Sequence, residues 1–502
     1  MIENPHHPLY GLTTYILGCR NVRFLTKEQA REELMRKNKE SINPFEESKM
    51  VEILDEVYKD DLSWFENRRF VPKRLGDYIM SMNRFKSIPS SKSAIIYVYD
   101  DGVYNSTGES VIKEESNRFL EDNTKNIRVS EVIGYIERST YITPKEINQN
   151  PYIINIKNGL YDLKEKKLLP HSSEMFSITQ LPVFYNQEVD CPEIKKFVSQ
   201  IVNERDVPVI QELFGYLLWK DYFIQKAFML IGEGSNGKST LIRLMKVFLG
   251  SANISNIALQ DLDKNPFAKA PLYGKMANLY PDISDVALHQ TGTFKALTGG
   301  DAISAEFKFK DRFSFTNFAK LIFSCNKLPE TRDFTTAFFR RWIFINFPNK
   351  FEGENDDKWL FEKISTEQEL SGLLNWALEG LERLLKQQDF SNKMSTDEIE
   401  MKYKKMSSSI AGFVEDMCQQ DSDAEISKAE IYLVYCQYCR DNQLPADSDN
   451  TFHKKLPIYA SYIKQVRPRI GSGRVNFWKG IKLIVEEKDE RKNLSAYVEE
   501  EF

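Results

Sequence analysis

Lys226 to Gly250 reads KAFMLIGEGSNGKSTLIRLMKVFLG, and this stretch decides the fold. An apolar run, Ala227 to Ile231, leads into a loop with glycines at its mouth, Gly232 and Gly234. Gly237-Lys238-Ser239-Thr240 then opens a segment in which Leu241, Ile242, Leu244, Met245 and Phe248 recur at helical spacing, until Gly250 ends it. The order predicts strand, loop and helix. Gly232, Gly237, Lys238 and Ser239 spell G-x-x-x-x-G-K-[ST]. Glycines let successive backbone N–H groups turn toward one anion, and the helix N-terminus adds its partial positive charge. Lys238 can then reach outer phosphates, and the Ser239 hydroxyl can ligate Mg²⁺. A nucleoside triphosphate is the expected ligand, contacted along Gly232, Glu233, Gly234, Ser235, Asn236, Gly237, Lys238, Ser239 and Thr240.

Around this stretch lie 502 residues, enough for about three domains of ordinary size. Hydrophobic residues make up 41% and charged residues 28%, which suits globular cores. No apolar run approaches the roughly 18 residues of a membrane span, and Met1-Ile2-Glu3-Asn4 does not begin a signal peptide. Six cysteines do not make a disulfide framework, so a reducing cytoplasm is the expected location. A net charge of -5 excludes a uniformly basic coat, and any nucleic-acid site must be local.

Before the loop, Thr26 to Lys39 reads as a charged helix with a Thr26/Gln29 capping box, and Glu46 to Tyr58 as a second helix. Basic and aromatic residues mix at Trp64 to Phe70, more simply a solvated face than a nucleic-acid contact. Ile95 to Tyr104 predicts a hairpin turning at Asp100-Asp101-Gly102. Adjacent strand residues point to opposite faces, so Asp100 and Asp101 could not simply share a metal. Tyr152 to Leu169 predicts a second hairpin at Asn158-Gly159. Cys191 to Leu218 reads as helical, with Leu213, Gly215 and Leu217 expected to pack on the strand before the loop.

After the loop, Gly274 to Asp282 is a short strand ending in a carboxylate. Ile303 to Lys310 and Phe313 to Phe318 alternate as two strands joined at Asp311-Arg312. Lys320 to Asn326 is a buried strand ending in a polar residue, and Phe338 to Ile345 carries Arg340 and Arg341 into another. Strands spaced by helices imply an α/β nucleotide-binding core. Helices follow from Asp356 to Gln388, and Ser391 to Ser409 reads as helix plus linker. In the tail, Ile410 to Cys418, Ser427 to Arg440 and a segment from Asn450 read as helices, with strands at Ile463 to Ile470 and Arg474 to Leu483. Asn450 to Lys482 holds eight Lys or Arg (Lys454, Lys455, Lys464, Arg467, Arg469, Arg474, Lys479, Lys482) and no acid. In an acidic chain that favours DNA contact. Cys436-x-x-Cys439, Cys418 and His453 are the residue types of a zinc site, although a lone C-x-x-C on a helix is more often core.

Asn158-Gly159-Leu160-Tyr161-Asp162-Leu163, the loop Gly234 to Ser239, Leu297-Thr298-Gly299-Gly300-Asp301, Phe323 to Pro329 and the Arg340-Arg341 pair occur in this order. Together they resemble the superfamily 3 helicases of phage, plasmid and poxvirus-type primase–helicases, from about Ile95 to Lys482. The resemblance implies a P-loop, AAA+-like α/β core at 219–390. It also implies a primase–helicase-associated α+β region at 94–218, a linker at 391–409 and a winged-helix DNA-binding domain at 410–502. Residues 1–93 form a partly helical N-terminal region outside it.

It further implies a ring, expected as a hexamer, that hydrolyses ATP with Mg²⁺ at subunit interfaces and moves along single-stranded DNA. Lys238 and Ser239 would hold phosphates and Mg²⁺, and Asp282 would orient water or metal, with Asp285 able to share the role. The family usually has two neighbouring acids; here Pro281 precedes Asp282. Asn326 resembles the polar sensor, and Arg340 or Arg341 the arginine finger. Lys308, Lys310 and Arg312 resemble the DNA-gripping loop of the channel, and the tail's Lys454, Lys455, Arg467, Arg469 and Arg474 would add DNA contacts. Expected partners are single-stranded and forked DNA, further copies of the chain, and a separate primase or polymerase. No carboxylate pair at D-x-D spacing precedes Ile95, so the chain reads as the helicase half. An ATP-switched initiator without unwinding, and a full primase–helicase, are the alternatives.

Overall fold

The computed structural model describes residues 10–484 except 22–24, 26, 41–44, 59–63, 67–68, 90–93, 144–145, 148–149, 309–311, 354–355, 392, 443, 445, 468, 471–472 and 475. Thr26 of the expected capping box and Lys310 lie outside the described residues, as do the side chains of Arg469 and Arg474.

Short amphipathic helices cannot bury their apolar faces alone. Those at Tyr10–Asn21, Lys27–Glu40 and Glu47–Val57 do so against the sheet and helices that follow. Leu17, Leu34, Met50 and Leu54 share one core with Leu75, with Ile96 and Val98 of strand Ile95–Asp100, and with Val132 and Ile136. This core runs across the boundary expected at 93/94. Strand Ile95–Asp100 is central in an antiparallel sheet, between Val103–Asn105 and an unexpected strand, Phe85–Ile88. Its turn forms as expected, with positive φ at Asp101 (44°) and Gly102 (89°), which suits the twist of a hairpin. Asn155 Nδ2 donates to Gly102 O at 2.8 Å and ties that turn to the next sheet. There the expected hairpin is a three-stranded meander of Ile153–Ile156, Gly159–Asp162 and Lys167–Leu169.

The central unit contains β1 (Ala227–Ile231), α1 (Lys238–Leu249), β2 (Ile254–Ser255), β3 (Ala277–Tyr280), α2 (Gly292–Gly299), β4 (Ala302–Glu306), β5 (Arg312–Thr316), β6 (Lys320–Cys325), β7 (Trp342–Asn346), α3 (Glu367–Gln387) and α4 (Thr396–Ser407). Five strands form a parallel sheet in the order β2-β3-β6-β1-β7. β1 has neighbours on both edges and all its residues buried, which is why its sequence is apolar without alternation. Phe228 and Leu230 face one core, shared with helix Val207–Leu218 and α3. Ala227, Met229 and Ile231 face the other, with Phe294 of α2. Leu213 and Leu217 share the core of Phe228 as expected, but Gly215 faces α3 instead. A Cβ on Gly215 would sit 2.5 Å from Leu381 N, and one on Gly380 2.5 Å from Gln211 O. A glycine on each helix lets the two backbones meet.

β4 and β5 form a separate antiparallel hairpin with Glu306 opposite Arg312. β4 stops at Glu306, so Lys308 follows the strand, and Arg312 opens β5 instead of the turn.

The linker expected at 391–409 is largely α4, opened by a Ser395/Glu398 capping box. Its Ile399 and Tyr403 are buried in the core of Phe338, Trp342 and Phe344, which makes it part of the central unit. The tail has its own core, which includes Phe413, Tyr435, Phe452 and Trp478. Three helices, Ser409–Met417, Lys428–Asp441 and Asp449–Tyr459, pack with a three-stranded antiparallel sheet whose central strand is Phe477–Leu483. The strand Cys418–Ser427 was not expected: it is polar, and its register shifts between Asp421 and Glu425. Cys418 and Cys439 belong to the tail core. Among the described residues, no three His, Cys, Asp or Glu come together as a metal-binding group. Among the same residues, no helix is long and apolar enough to cross a membrane.

Candidate functional site

The loop between β1 and α1 turns through positive φ at Ser235 (56°) and Gly237 (87°). A Cβ on Gly237 would lie 2.5 Å from Ile201 Cγ2, and one on Gly232 would lie 2.3 Å from Asn236 Nδ2. Both glycines are therefore dictated by space, whereas Gly234 has nothing within 4 Å of its missing Cβ. A strap from the chain after β7 holds the loop from outside, a feature the sequence reading missed. Phe347 N donates to Ile231 O at 2.8 Å, Phe351 N donates to Ser235 O at 2.7 Å, and Lys350 pairs with Glu233 at 2.8 Å. Two of these three bonds are backbone to backbone, which no side-chain pattern announces.

Lys238 opens α1 and is only 6% exposed. Its Nζ donates to Gly232 O, to Asn236 Oδ1 at 3.1 Å and to Glu233 O at 3.3 Å, and Asn326 Oδ1 lies 3.5 Å away. Burial lowers its pKa, while the neighbouring Cys325 and Asp282 oppose that shift. Ser239 and Asp282 are exposed, and Thr240 is half-buried. The side chains meet because parallel strands end on one edge: β1 leads to the loop, β6 beside it to Asn326, and β3 beyond that to Asp282. Ile283 N donates to Ser324 O at 2.9 Å and fixes the Asp282 turn to β6. Asp285 is exposed three residues further on.

The two arginines separate sharply. Arg341 is 7% exposed; its Nε donates to Thr298 Oγ1 at 2.9 Å and its Nη1 to Ala337 O. Its guanidinium is engaged inside the subunit. It also accounts for the Thr298 of Leu297-Thr298-Gly299-Gly300-Asp301. Arg340 is exposed, with Nη2 donating to Gln225 Oε1 at 2.8 Å. Both precede β7, whose Trp342 lies opposite Ala227 at the start of β1, the end of the sheet away from the loop.

At the hairpin, Arg312 Nε donates to Glu306 Oε2 at 2.8 Å, Lys308 is exposed, and Phe307 stacks on Phe313. In the tail, Lys454 and Arg467 are exposed, and Arg467 Nε donates to Asn476 Oδ1. Lys455 differs from these: its Nζ lies 2.8 Å from Glu330 Oε1 of the central unit, so it is engaged within the chain.

A mixed α/β chain whose parallel sheet leads into a glycine-bounded lysine loop defines the class of protein. Three family models match in succession: D5 N terminal like over residues 26–203, a family of unknown function (DUF5906) over 230–341, and poxvirus D5 protein-like over 405–479. The first and last of these matches are both to D5-type models, so the chain carries D5-like segments on either side of the central unit. It is similar to "Putative helicase 121R" of Invertebrate iridescent virus 3, 23% identical over 41% of this chain and 24% of the relative. It is also similar to "Putative helicase L207/L206" of Acanthamoeba polyphaga mimivirus, 26% identical over 41% of this chain and 23% of the relative. The matches span about a quarter of the length of these curated relatives. Among solved structures, the apo C-terminal region of NrS-1 aligns over 81% of this chain and 98% of that one, with TM-score 0.44 and 12% identity.

Proposed function

We propose that the chain is an ATP-dependent DNA helicase of superfamily 3 that works in replication as a ring, with a P-loop, AAA+-like core. The observation that carries this reading is the approach of Lys238 Nζ to Asn326 Oδ1, 3.5 Å apart, at the edge where β1 and β6 end. A lysine at the first turn of a helix, beside a polar strand end, suits a site for outer phosphates. The residues fit ATP: Gly237 and Gly232 let the loop pack tightly on Ile201, Asn236 and Phe347 while it turns before the first helical turn that carries Lys238. They fit Mg²⁺ as well, since this ion needs only one or two protein oxygens beside substrate phosphates, and exposed Ser239 and Asp282 could supply them. When bound, Mg²⁺ would neutralise charge developing on the phosphates.

With nucleotide bound, Lys238 would exchange its loop carbonyls for phosphate oxygens, Asp282 would orient water or metal, and Asn326 would contact the γ-phosphate or the attacking water. Arg340, at the far end of its own sheet, serves as finger for the neighbouring subunit's site. Lys308, Lys310 and Arg312 grip DNA at the hairpin, and the tail, read as a winged helix, adds Lys454, Arg467, Arg469 and Arg474. Replacing Lys238 by Ala should abolish phosphate release from ATP, and wild-type hydrolysis by that variant would overturn the reading. Unwinding of a forked duplex by the wild type tests the motor itself; hydrolysis without unwinding would favour the initiator.

A further inference from the structure

Two side chains from the C-terminal half hold consecutive residues just beyond Asn326. Tyr403 of α4, packed against Phe338, Phe339 and Phe344, donates its hydroxyl to Pro329 O at 2.7 Å. Lys455 of the tail places Nζ 2.8 Å from Glu330 Oε1. The loop they hold is bonded at both ends to the segment carrying the candidate acids. Ile283 N donates to Ser324 O, and Leu288 N donates to Glu330 O at 2.8 Å. The apolar cores of central unit and tail are separate. Along their junction lies a cavity of about 260 Å³ lined by Asp285, Ala287, Lys327, Glu330, Ser407 and Lys455. The Lys455–Glu330 pair thus bridges two bodies beside the acids.

We propose that Tyr403, Glu330 and Lys455 are positioning residues that couple the tail to Asn326, so that nucleotide and DNA binding depend on each other; this rests on the helicase reading above. Coupling needs one element whose position both ligands bias, and it is reciprocal. Residues 324–330 are such an element: one end presents Asn326 to Lys238, and the other is held from α4 and the tail. A purely structural strut would change stability, or both affinities together, but not the factor by which one ligand changes the other.

The test uses the full chain as wild type, Glu330→Gln, Lys455→Met, the double variant and Tyr403→Phe, which keeps the ring and removes the hydroxyl. Affinity for labelled forked DNA is measured by anisotropy, with and without a non-hydrolysable ATP analogue. The wild-type ratio of the two affinities should differ from one by about fivefold or more. Each single variant should bring the ratio toward one, and the double should go no further than either single. KM for ATP and DNA affinity without nucleotide should stay within about twofold, since a half-exposed pair adds little to either site alone. Unchanged ratios in Glu330→Gln and Tyr403→Phe would overturn the coupling, as would additive losses in the double. A wild type that hydrolyses ATP with a ratio of one loses the coupling but keeps the helicase reading. A wild type that neither binds nor hydrolyses ATP loses both.

Discussion

Arg341 Nε donates to Thr298 Oγ1 at 2.9 Å, a bond made wholly inside one subunit. Its neighbour Arg340 is exposed, and its Nη2 donates to Gln225 Oε1 at 2.8 Å. Two adjacent arginines that look equivalent in sequence therefore carry different loads.

Arg341→Ala should lower stability by roughly 2–3 kcal/mol, because a nearly buried charged group loses its hydrogen bonds and leaves Thr298 without one of its own. Arg340→Ala should melt like the wild type yet lose ATPase by on the order of 10³- to 10⁵-fold, as expected for a finger. Mixing Arg340→Ala with Lys238→Ala should restore some activity, since each supplies what the other lacks. Thermal melts and ATPase of the mixture check this, and a mixture as dead as its components, under conditions of subunit exchange, would sink the shared site.

Asp282→Asn should keep ATP binding and stop turnover, because an amide cannot orient water or metal as a carboxylate does. Asp282 sits close enough to Lys238 to oppose its burial shift, and Asp285 is exposed three residues further on. Nucleotide binding and single-turnover hydrolysis distinguish the two acids. Equal loss in Asp285→Asn with none in Asp282→Asn would move the role.

Lys454→Ala and Arg467→Ala should each weaken DNA binding while leaving basal ATPase intact, because both are exposed on the tail, whose core is separate from those of the central unit. On duplex DNA the slope of log affinity against log salt should fall by roughly 0.9 for each phosphate that the variant no longer neutralises. Slopes that stay parallel to the wild type would mean these cations face something other than phosphate.

Lys220 offers a pH test of the fold itself. Its stem is half-buried, but its amine is enclosed, and burial pushes its pKa down to about 8. The folded pKa lies below the unfolded one, so the unfolded chain binds more protons between about pH 8 and 10.5, and stability from this group rises across that window. Lys220→Met should therefore stabilise at pH 7, by on the order of 2–3 kcal/mol, and the gain should shrink at pH 10. Denaturant midpoints at the two pH values measure it; an equal gap at both would mean a solvated amine.

Sequence alone determined the strand–loop–helix around Gly232 to Gly250, the turn at Asp101-Gly102, and the existence of the apolar strands before Asn326 and around Trp342 to Ile345. Each is a local consequence of residue type: glycine where φ is positive, period in a helix, an unbroken apolar run in a strand with two neighbours. Only the tertiary structure decided what those pieces meet. The order β2-β3-β6-β1-β7 brings Asn326 beside Lys238, puts Arg340 at the opposite end of the sheet and buries Arg341 on Thr298. It also packed the helix expected within 391–409 into the core, through Ile399 and Tyr403, and made a tail cation the partner of Glu330. These pairings join residues far apart in the chain, or are backbone bonds such as Phe351 to Ser235. They depend on how the strands are ordered, and neither periodicity nor charge along the chain encodes that order.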